Sequence, residues 1–95
     1  MKEYSNDIKS QEILYELEDY VACCLYPEHI NIYHYTEYKT PLKGNVKEGW
    51  LSCGAWYLRE DGKYFDSNNY YGRGLGTADS IEEIIDKMRK KNNLD

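Results

Sequence analysis

The stretch Leu58-Arg59-Glu60-Asp61-Gly62-Lys63-Tyr64-Phe65 decides the expected fold, because it joins two β-rich segments through a tight turn. A two-residue type I′ turn needs φ > 0 at both central positions, and Asp61-Gly62 can supply both. The pattern predicts a hairpin between residues 50–60 and 63–71. Its register opposes Glu60 with Lys63, Arg59 with Tyr64, Leu58 with Phe65, Tyr57 with Asp66 and Trp56 with Ser67.

Alternation along these strands sorts their side chains into two faces, because successive residues of a strand point to opposite sides. The predicted inner face packs against Ile30 and Ile32 and holds Trp50, Trp56, Leu58 and Phe65. The predicted outer face holds Tyr57, Arg59, Tyr64 and Asp66.

Two helices are expected at either end of the chain. Ser80 and Glu83 form a capping box, and an apolar stripe follows at helical spacing, which predicts a helix from about residue 81. That stripe is Ile81, Ile84, Ile85 and Met88. A second stripe predicts a helix over residues 10–25, capped by Ser10 and ended by Pro27. Its members are Ile13, Leu14, Leu17, Val21, Cys24 and Leu25.

Residues 29–39 alternate with a period of two and are rich in β-formers, which predicts a strand. Residues 40–49 carry turn chemistry and are expected to form a long loop, and residues 1–9 are expected to be flexible. The prediction is a single α+β domain over residues 1–95, in the order α-β-β-β-α. Its three-stranded antiparallel sheet carries both helices on one face.

That element order resembles the double-stranded-RNA-binding domain. In that family the second helix begins with lysines that grip phosphate, whereas here its first turn is Ile81-Glu82-Glu83. The resemblance therefore extends to the topology, and no functional residue is carried over.

The composition restricts the classes of partner. The chain has 95 residues and a net charge of −5, and residues 1–86 alone carry 16 acids against 8 bases. Phosphate backbones are bound through Lys and Arg, so direct nucleic-acid binding is not expected, whereas a basic protein surface suits this charge. Three cysteines without a disulfide pattern point to a reducing cytoplasm, and no apolar run is long enough for a membrane span.

An exposed tyrosine-rich sheet face is the first candidate site. Tyrosine and arginine are enriched in protein interfaces, because a rigid ring is buried at low entropic cost while its hydroxyl finds a partner. The predicted partner-binding residues are Tyr33, Tyr35, Glu37, Tyr57, Arg59, Tyr64 and Asp66. The same face could instead join two copies in a structural homodimer, or be ordinary exposed sheet.

A glycine-rich loop before the last helix is an alternative site. Free N–H groups at a helix start can hold an anion, so this loop could bind a phosphate or a signalling nucleotide with a tyrosine stacked on the base. The residues concerned are Tyr70, Tyr71, Gly72, Arg73, Gly74, Gly76, Thr77 and Ser80. The spacing matches neither a P-loop nor a dinucleotide fingerprint, so a simple connection is the other interpretation.

No cofactor, metal or enzymatic activity is predicted. The two histidines lack a nucleophile and an orienting acid at a recognisable spacing. The cysteines and histidines lack paired zinc-ligand spacings, so Cys24 and Cys53 are expected in the core. Small size, acidity and exposed tyrosines favour a non-enzymatic binding protein. One form of this hypothesis is a phage or mobile-element inhibitor of a host defence protein, similar in style to anti-CRISPR proteins, or of a nucleic-acid-handling protein.

Overall fold

Six antiparallel strands form one curled sheet, a half-barrel, in a computed structural model that describes residues 3–40 and 44–92. Each strand pairs with the next one along the chain. The strands are β1 Glu12–Leu17, β2 Tyr20–Tyr26, β3 His29–Lys39, β4 Val46–Leu58, β5 Tyr64–Asp66 and β6 Thr77–Ala78. The helices are α1 Asn6–Lys9 and α2 Ile81–Asn92, and a 3₁₀ helix spans Ser67–Tyr71. The predicted three-stranded sheet with two helices on one face is therefore wrong, and so is the element order on which the family resemblance rested.

The predicted helix over residues 10–25 is a β-hairpin. A two-residue turn at Glu18 and Asp19 joins β1 to β2, with Leu17 opposite Tyr20 and Glu18 at φ 55°. Residues 20–24 of β2 are all buried, so the strand shows a continuous apolar run instead of alternation. Such a run also fits a helical stripe, because periodicity cannot separate a strand buried on both faces from a buried helix.

Two separate hydrophobic clusters explain why β2 is buried on both faces. The main core lies between the sheet and α2 and contains Tyr20, Ala22, Cys24, Ile30, Ile32, Trp56, Ala78, Ile84, Ile85 and Met88. A second core lies on the opposite face, where Ile8 of α1 packs with Val21 and Cys23. Adjacent residues of β2 thus enter different cores, as the pleat of a strand requires.

The chain segment before Ser10, for which flexibility is predicted, contains α1 and its fully buried Ile8. The segment predicted as a long loop, residues 40–49, contains the start of β4 at Val46. Val46 pairs with Lys39, so the two longest strands run on together as a ribbon. Residues 41–43 of the predicted loop lie outside the described residues.

The turn between β4 and β5 contains three residues, not two. The backbone N–H of Arg59 donates to the carbonyl of Lys63, so Glu60, Asp61 and Gly62 form the loop, with Gly62 at φ 83°. The observed pairs are Leu58 with Tyr64, Tyr57 with Phe65 and Trp56 with Asp66. The predicted register is wrong by one residue, and a one-residue slip exchanges the faces of every side chain on the second strand.

The predictions for β3 and α2 are confirmed. Strand β3 has the predicted bounds, and α2 begins at Ile81, where the Ser80 hydroxyl accepts a hydrogen bond of 3.1 Å from the backbone N–H of Glu83. Ile84, Ile85 and Met88 are buried. Both elements depend on local signals, namely a clear period and a side-chain cap.

The buried Ile8 provides a test of the docked N-terminal segment. Ile8→Ala is expected to lower the free energy of unfolding by about 2–4 kcal/mol, because it leaves a cavity in the second core. Urea denaturation followed by circular dichroism measures the change. Leu25→Ala is the control, since Leu25 is 63 % exposed and its truncation should change stability by less than about 0.5 kcal/mol. Equal, small effects of both changes would contradict docking of α1.

Candidate protein-binding surface

The sheet face turned away from α2, here called the outer face, is only partly open. At one end α1 covers the second core, against which Tyr4, Tyr33 and Trp50 pack. The Tyr33 hydroxyl also accepts a hydrogen bond of 3.3 Å from the Gln11 side chain. Tyr33 therefore belongs to a packed layer and does not stand free on the surface.

Beyond this layer the ribbon formed by residues 35–39 of β3 and 46–50 of β4 continues alone, and we call it the arm. Strand β2 pairs with β3 from His29 to His34, so none of the strands in the described ranges lies beside the arm on that side. Two cross-strand pairs of the arm lie on the outer face, Tyr35 with Trp50 and Glu37 with Glu48. We call the pair of Tyr35 and Trp50 the aromatic step, and we call the neighbouring pair of Glu37 and Glu48 the acidic step.

The aromatic step consists of two rings in an edge-to-face arrangement. The ring centroids of Tyr35 and Trp50 lie 5.3 Å apart with an interplanar angle of 74°, a geometry that the ring quadrupoles favour. The Trp50 indole N–H donates to the backbone carbonyl of Glu3 at 3.0 Å. The ring centroids of Tyr4 and Trp50 lie 5.3 Å apart. Contacts with Glu3 and Tyr4 thus fix the Trp50 side chain, and Trp50 in turn packs against the ring of Tyr35.

The acidic step places two like charges directly opposite each other. Both Glu37 and Glu48 are exposed, and cross-strand like charges are destabilising. Within the described ranges no ion pair reaches either carboxylate, although Lys39 lies two residues from Glu37. The Tyr35 hydroxyl donates to one of these carboxylates, with its oxygen 3.4 Å from Glu48 Oε2. The fold therefore opposes two carboxylates that have no ion-pair partner in residues 3–40 and 44–92.

A shallow recess of about 200 Å³ joins the two steps, and Tyr35, Thr36, Glu37 and Glu48 line it. Desolvation and the Glu48 carboxylate raise the pKa of the Tyr35 hydroxyl, so the tyrosine stays neutral at physiological pH. The recess accordingly offers a neutral ring and two anions. A cation suits this combination, because both the ring face and the carboxylates attract positive charge.

The other end of the outer face carries a second aromatic group. Tyr57 is 41 % exposed, and its ring centroid lies 4.7 Å from that of His29. A groove of about 260 Å³ is lined by Tyr57, Arg59, Phe65 and Tyr70. Arg59 forms an ion pair of 3.1 Å with Asp61 in the turn, so its charge is already compensated.

The predicted partner-binding residues therefore fall into several groups. Tyr35 and Glu37 meet in the recess, and Tyr57 and Arg59 meet in the groove. Tyr64 and Asp66, expected on the outer face, lie on the inner one because of the register shift: Tyr64 packs against the main core and Asp66 is buried. The Asp66 carboxylate accepts hydrogen bonds from the backbone N–H groups of Asn68 and Leu75, at 3.0 and 2.8 Å.

Two surface residues escaped the prediction, Glu48 and Trp50. The sequence predicts Glu48 in the loop of residues 40–49, whereas β4 begins at Val46. Simple alternation from Trp56 predicts Trp50 on the inner face, whereas the structure places it on the outer face. Gly54 pairs with Ile32 and Ser52 with Tyr33, which leaves Cys53 as a bulge residue that reverses the alternation. No local sequence signal announces this bulge.

The glycine-rich loop is closed by side chains of its own chain. The Asn69 side chain donates to the Gly76 carbonyl at 2.8 Å and accepts from the Gly76 N–H at 3.1 Å, while Asp66 accepts from Leu75. A Cβ atom at Gly74 would collide with Asn69, so this glycine permits a close approach. The N–H groups that the nucleotide hypothesis requires are thus partly used within the loop.

The remaining residues of the alternative site lie around this loop. Tyr70, Tyr71 and Arg73 are exposed. Gly72 ends the 3₁₀ helix, Thr77 begins β6, and the Ser80 hydroxyl caps α2. Binding of a nucleotide here stays a prediction.

The cysteines and histidines do not converge. Cys23 belongs to the second core and Cys24 to the main core, while the Cys53 thiol lies 3.5 Å from the Ile32 carbonyl. The His34 ring stacks on Tyr20 and lies 2.9 Å from an Asp19 carboxylate oxygen. In residues 3–40 and 44–92 no group of three or more His, Cys, Asp or Glu is arranged to hold a metal ion.

Comparisons with known protein families, with curated proteins and with solved structures find no match to this chain. Neither helix that the structure describes has the length and apolar character needed to cross a membrane.

Burial of two thiols gives stability a predictable pH dependence. Burial raises the pKa of Cys23 to about 11 and that of Cys53 to about 12, from an ordinary value of 9.0. Above about pH 9 the unfolded chain loses these protons while the folded chain keeps them, so the free energy of unfolding should fall as the pH rises. Urea denaturation between about pH 7 and 11 measures this slope. Cys53→Ala should make the slope shallower, and a flat profile for the unaltered chain would contradict the burial.

The opposed glutamates of the arm make a second prediction. Glu48→Gln removes the like-charge pair but keeps an acceptor for Tyr35, so the free energy of unfolding should rise by about 0.2–0.5 kcal/mol at low salt. Glu60→Gln is the control, because Glu60 lies exposed in the turn without an ion pair among the described residues. Chemical denaturation at low and high salt makes the comparison. A loss of stability in Glu48→Gln would show that this carboxylate has a favourable role within the fold.

Proposed function

We propose that this chain is a small, non-enzymatic binding protein that docks a basic surface of another protein on the recess of the arm. The observation that carries the proposal is the pair Glu37 and Glu48, which are opposed in the sheet beside the ring of Tyr35 and form no ion pair with any residue in the ranges that the structure describes. An arrangement that costs folding energy is explained most simply by a gain on binding.

A lysine or arginine of the partner supplies what the recess lacks. Its charge relieves the repulsion between the carboxylates, and its stem packs against the ring of Tyr35. Arginine suits the site particularly well, because its planar group can bond two carboxylates and stack on a ring at once. Contacts of this kind speed association and set specificity, and they weaken as salt increases.

The charge of the remaining chain supports the same class of partner. Residues 1–86 carry 16 acids against 8 bases, so this part of the chain as a whole attracts basic surfaces and repels phosphate backbones. Proteins that handle nucleic acid carry basic grooves. The chain would inhibit such a protein by occupying its groove, and a host defence protein is one candidate in this class.

Charge reversal in the recess tests the proposal. Immobilised chain is used to capture proteins from a host lysate at low salt, and the captured proteins are identified by mass spectrometry. Glu37→Lys should reduce capture of the specific partner at least about tenfold, because like charges placed together at an interface cost several kcal/mol. Binding of the purified partner is then measured by calorimetry.

Glu60→Lys is the matched control, because it changes the net charge equally in the turn at the far end of β4. Capture should survive in this variant. If both reversals weaken capture to the same degree, binding depends on net charge alone. If neither does, the recess is not the docking site, and either result rejects the proposal.

A further inference from the structure

The backbone of the arm offers an unpaired strand edge next to the recess. In an antiparallel ladder the peptide groups of successive residues point alternately to the two sides of the strand. The Thr40 N–H donates to the Asn45 carbonyl at 2.9 Å, which turns the odd-numbered residues of this part of β4 toward β3. The even-numbered residues Val46, Glu48 and Trp50 therefore direct their N–H and C=O groups away from β3.

No other strand satisfies these groups in the part of the chain that the structure describes. Strand β5 pairs with β4 only at Trp56, Tyr57 and Leu58, and among the described residues no backbone hydrogen bond from another segment reaches residues 46–50 from that side. An exposed edge of this kind is a template for a further strand, and natural proteins usually protect such edges. On the opposite edge of the arm, the Tyr35 N–H donates to the Asp19 carbonyl. Beyond this bond, Glu37 and Lys39 are the residues of β3 that direct their backbone N–H and C=O groups away from β4.

The side chains along the β4 edge specify the character of the added strand. Glu48 and Trp50 lie on the outer face, where Glu48 faces Glu37. On the inner face Leu51 is 40 % exposed, and it pairs with His34. Basic residues on the outer side of an added strand would lie opposite Glu48 and next to the Trp50 ring, and apolar residues on its inner side would meet Leu51.

We propose that the partner docks by strand addition on the β4 edge between Val46 and Trp50, as an extended segment that alternates basic and apolar residues. Backbone hydrogen bonds supply affinity in this mode, and the side chains beside the strand supply specificity. This inference rests on the proposed function for the charge of the partner, and it adds the backbone of β4 as the principal contact.

The test uses a short synthetic peptide of alternating lysine and valine, and a second peptide of the same sequence with N-methyl groups on alternate residues. The methyl groups remove backbone donors and keep every charge. The unmodified peptide should bind the full chain by calorimetry at low salt, and the methylated one should bind at least about tenfold more weakly, because several backbone bonds are lost together.

Two substitutions at Glu48 separate charge from backbone. Glu48→Gln removes the charge, whereas Glu48→Pro also removes the outward N–H, a change that edge strands tolerate. Proline should weaken binding at least about threefold beyond glutamine, because one backbone hydrogen bond to the added strand is lost. The amide of Trp50 should gain protection from hydrogen exchange when the unmodified peptide binds.

Three other results each decide a separate question. If the methylated peptide binds as well as the unmodified one, strand addition is rejected while basic docking stands. If Glu37→Gln and Glu48→Gln both bind the unmodified peptide as the native chain does, the recess itself is rejected. If Glu48→Pro fails to fold, as judged by circular dichroism, the comparison of peptides on the native chain decides alone.

Discussion

The ladder between β3 and β4 is the interaction on which the rest of the structure depends. Every residue of β3 has a partner on β4, from His29 opposite Tyr57 to Lys39 opposite Val46. This pairing positions Ile30, Ile32 and Trp56 for the main core and then continues past the body of the domain as the arm. The core and the candidate surface are thus two parts of the same pair of strands, with a bulge at Cys53 between them.

The bulge separates the two functions of the ladder. On its body side the even residues Gly54 and Trp56 face α2, and on the arm side the even residues Glu48 and Trp50 face outward. Without the extra residue, Glu48 would be opposed to a different side chain and Trp50 would turn toward the inner face. One inserted residue therefore lets a strand serve a core at one end and a binding surface at the other.

Sequence reasoning succeeded where a local signal decided the outcome and failed where tertiary contacts decided it. The cap at Ser80 and the period of β3 are local, and both elements are confirmed. Strand β2 has an apolar run because two cores meet on it, and no local pattern distinguishes this from a helix. The sequence predicts a turn at Asp61-Gly62, but the turn also includes Glu60. The additional residue shifts the register by one, which reverses the faces of Tyr64, Phe65 and Asp66. Of the candidate surface, Tyr35 and Glu37 could be predicted from β3 alone, whereas Glu48 and Trp50 required the pairing.

The division of the tryptophans between the faces has an optical consequence. Trp56 is wholly buried in the main core, while Trp50 is half-buried next to Tyr35 at the base of the arm. The emission of an indole depends on the polarity of its surroundings, so these two residues report on different layers of one molecule. With either indole replaced by phenylalanine, the remaining fluorescence follows the main core or the outer face separately, without an attached dye.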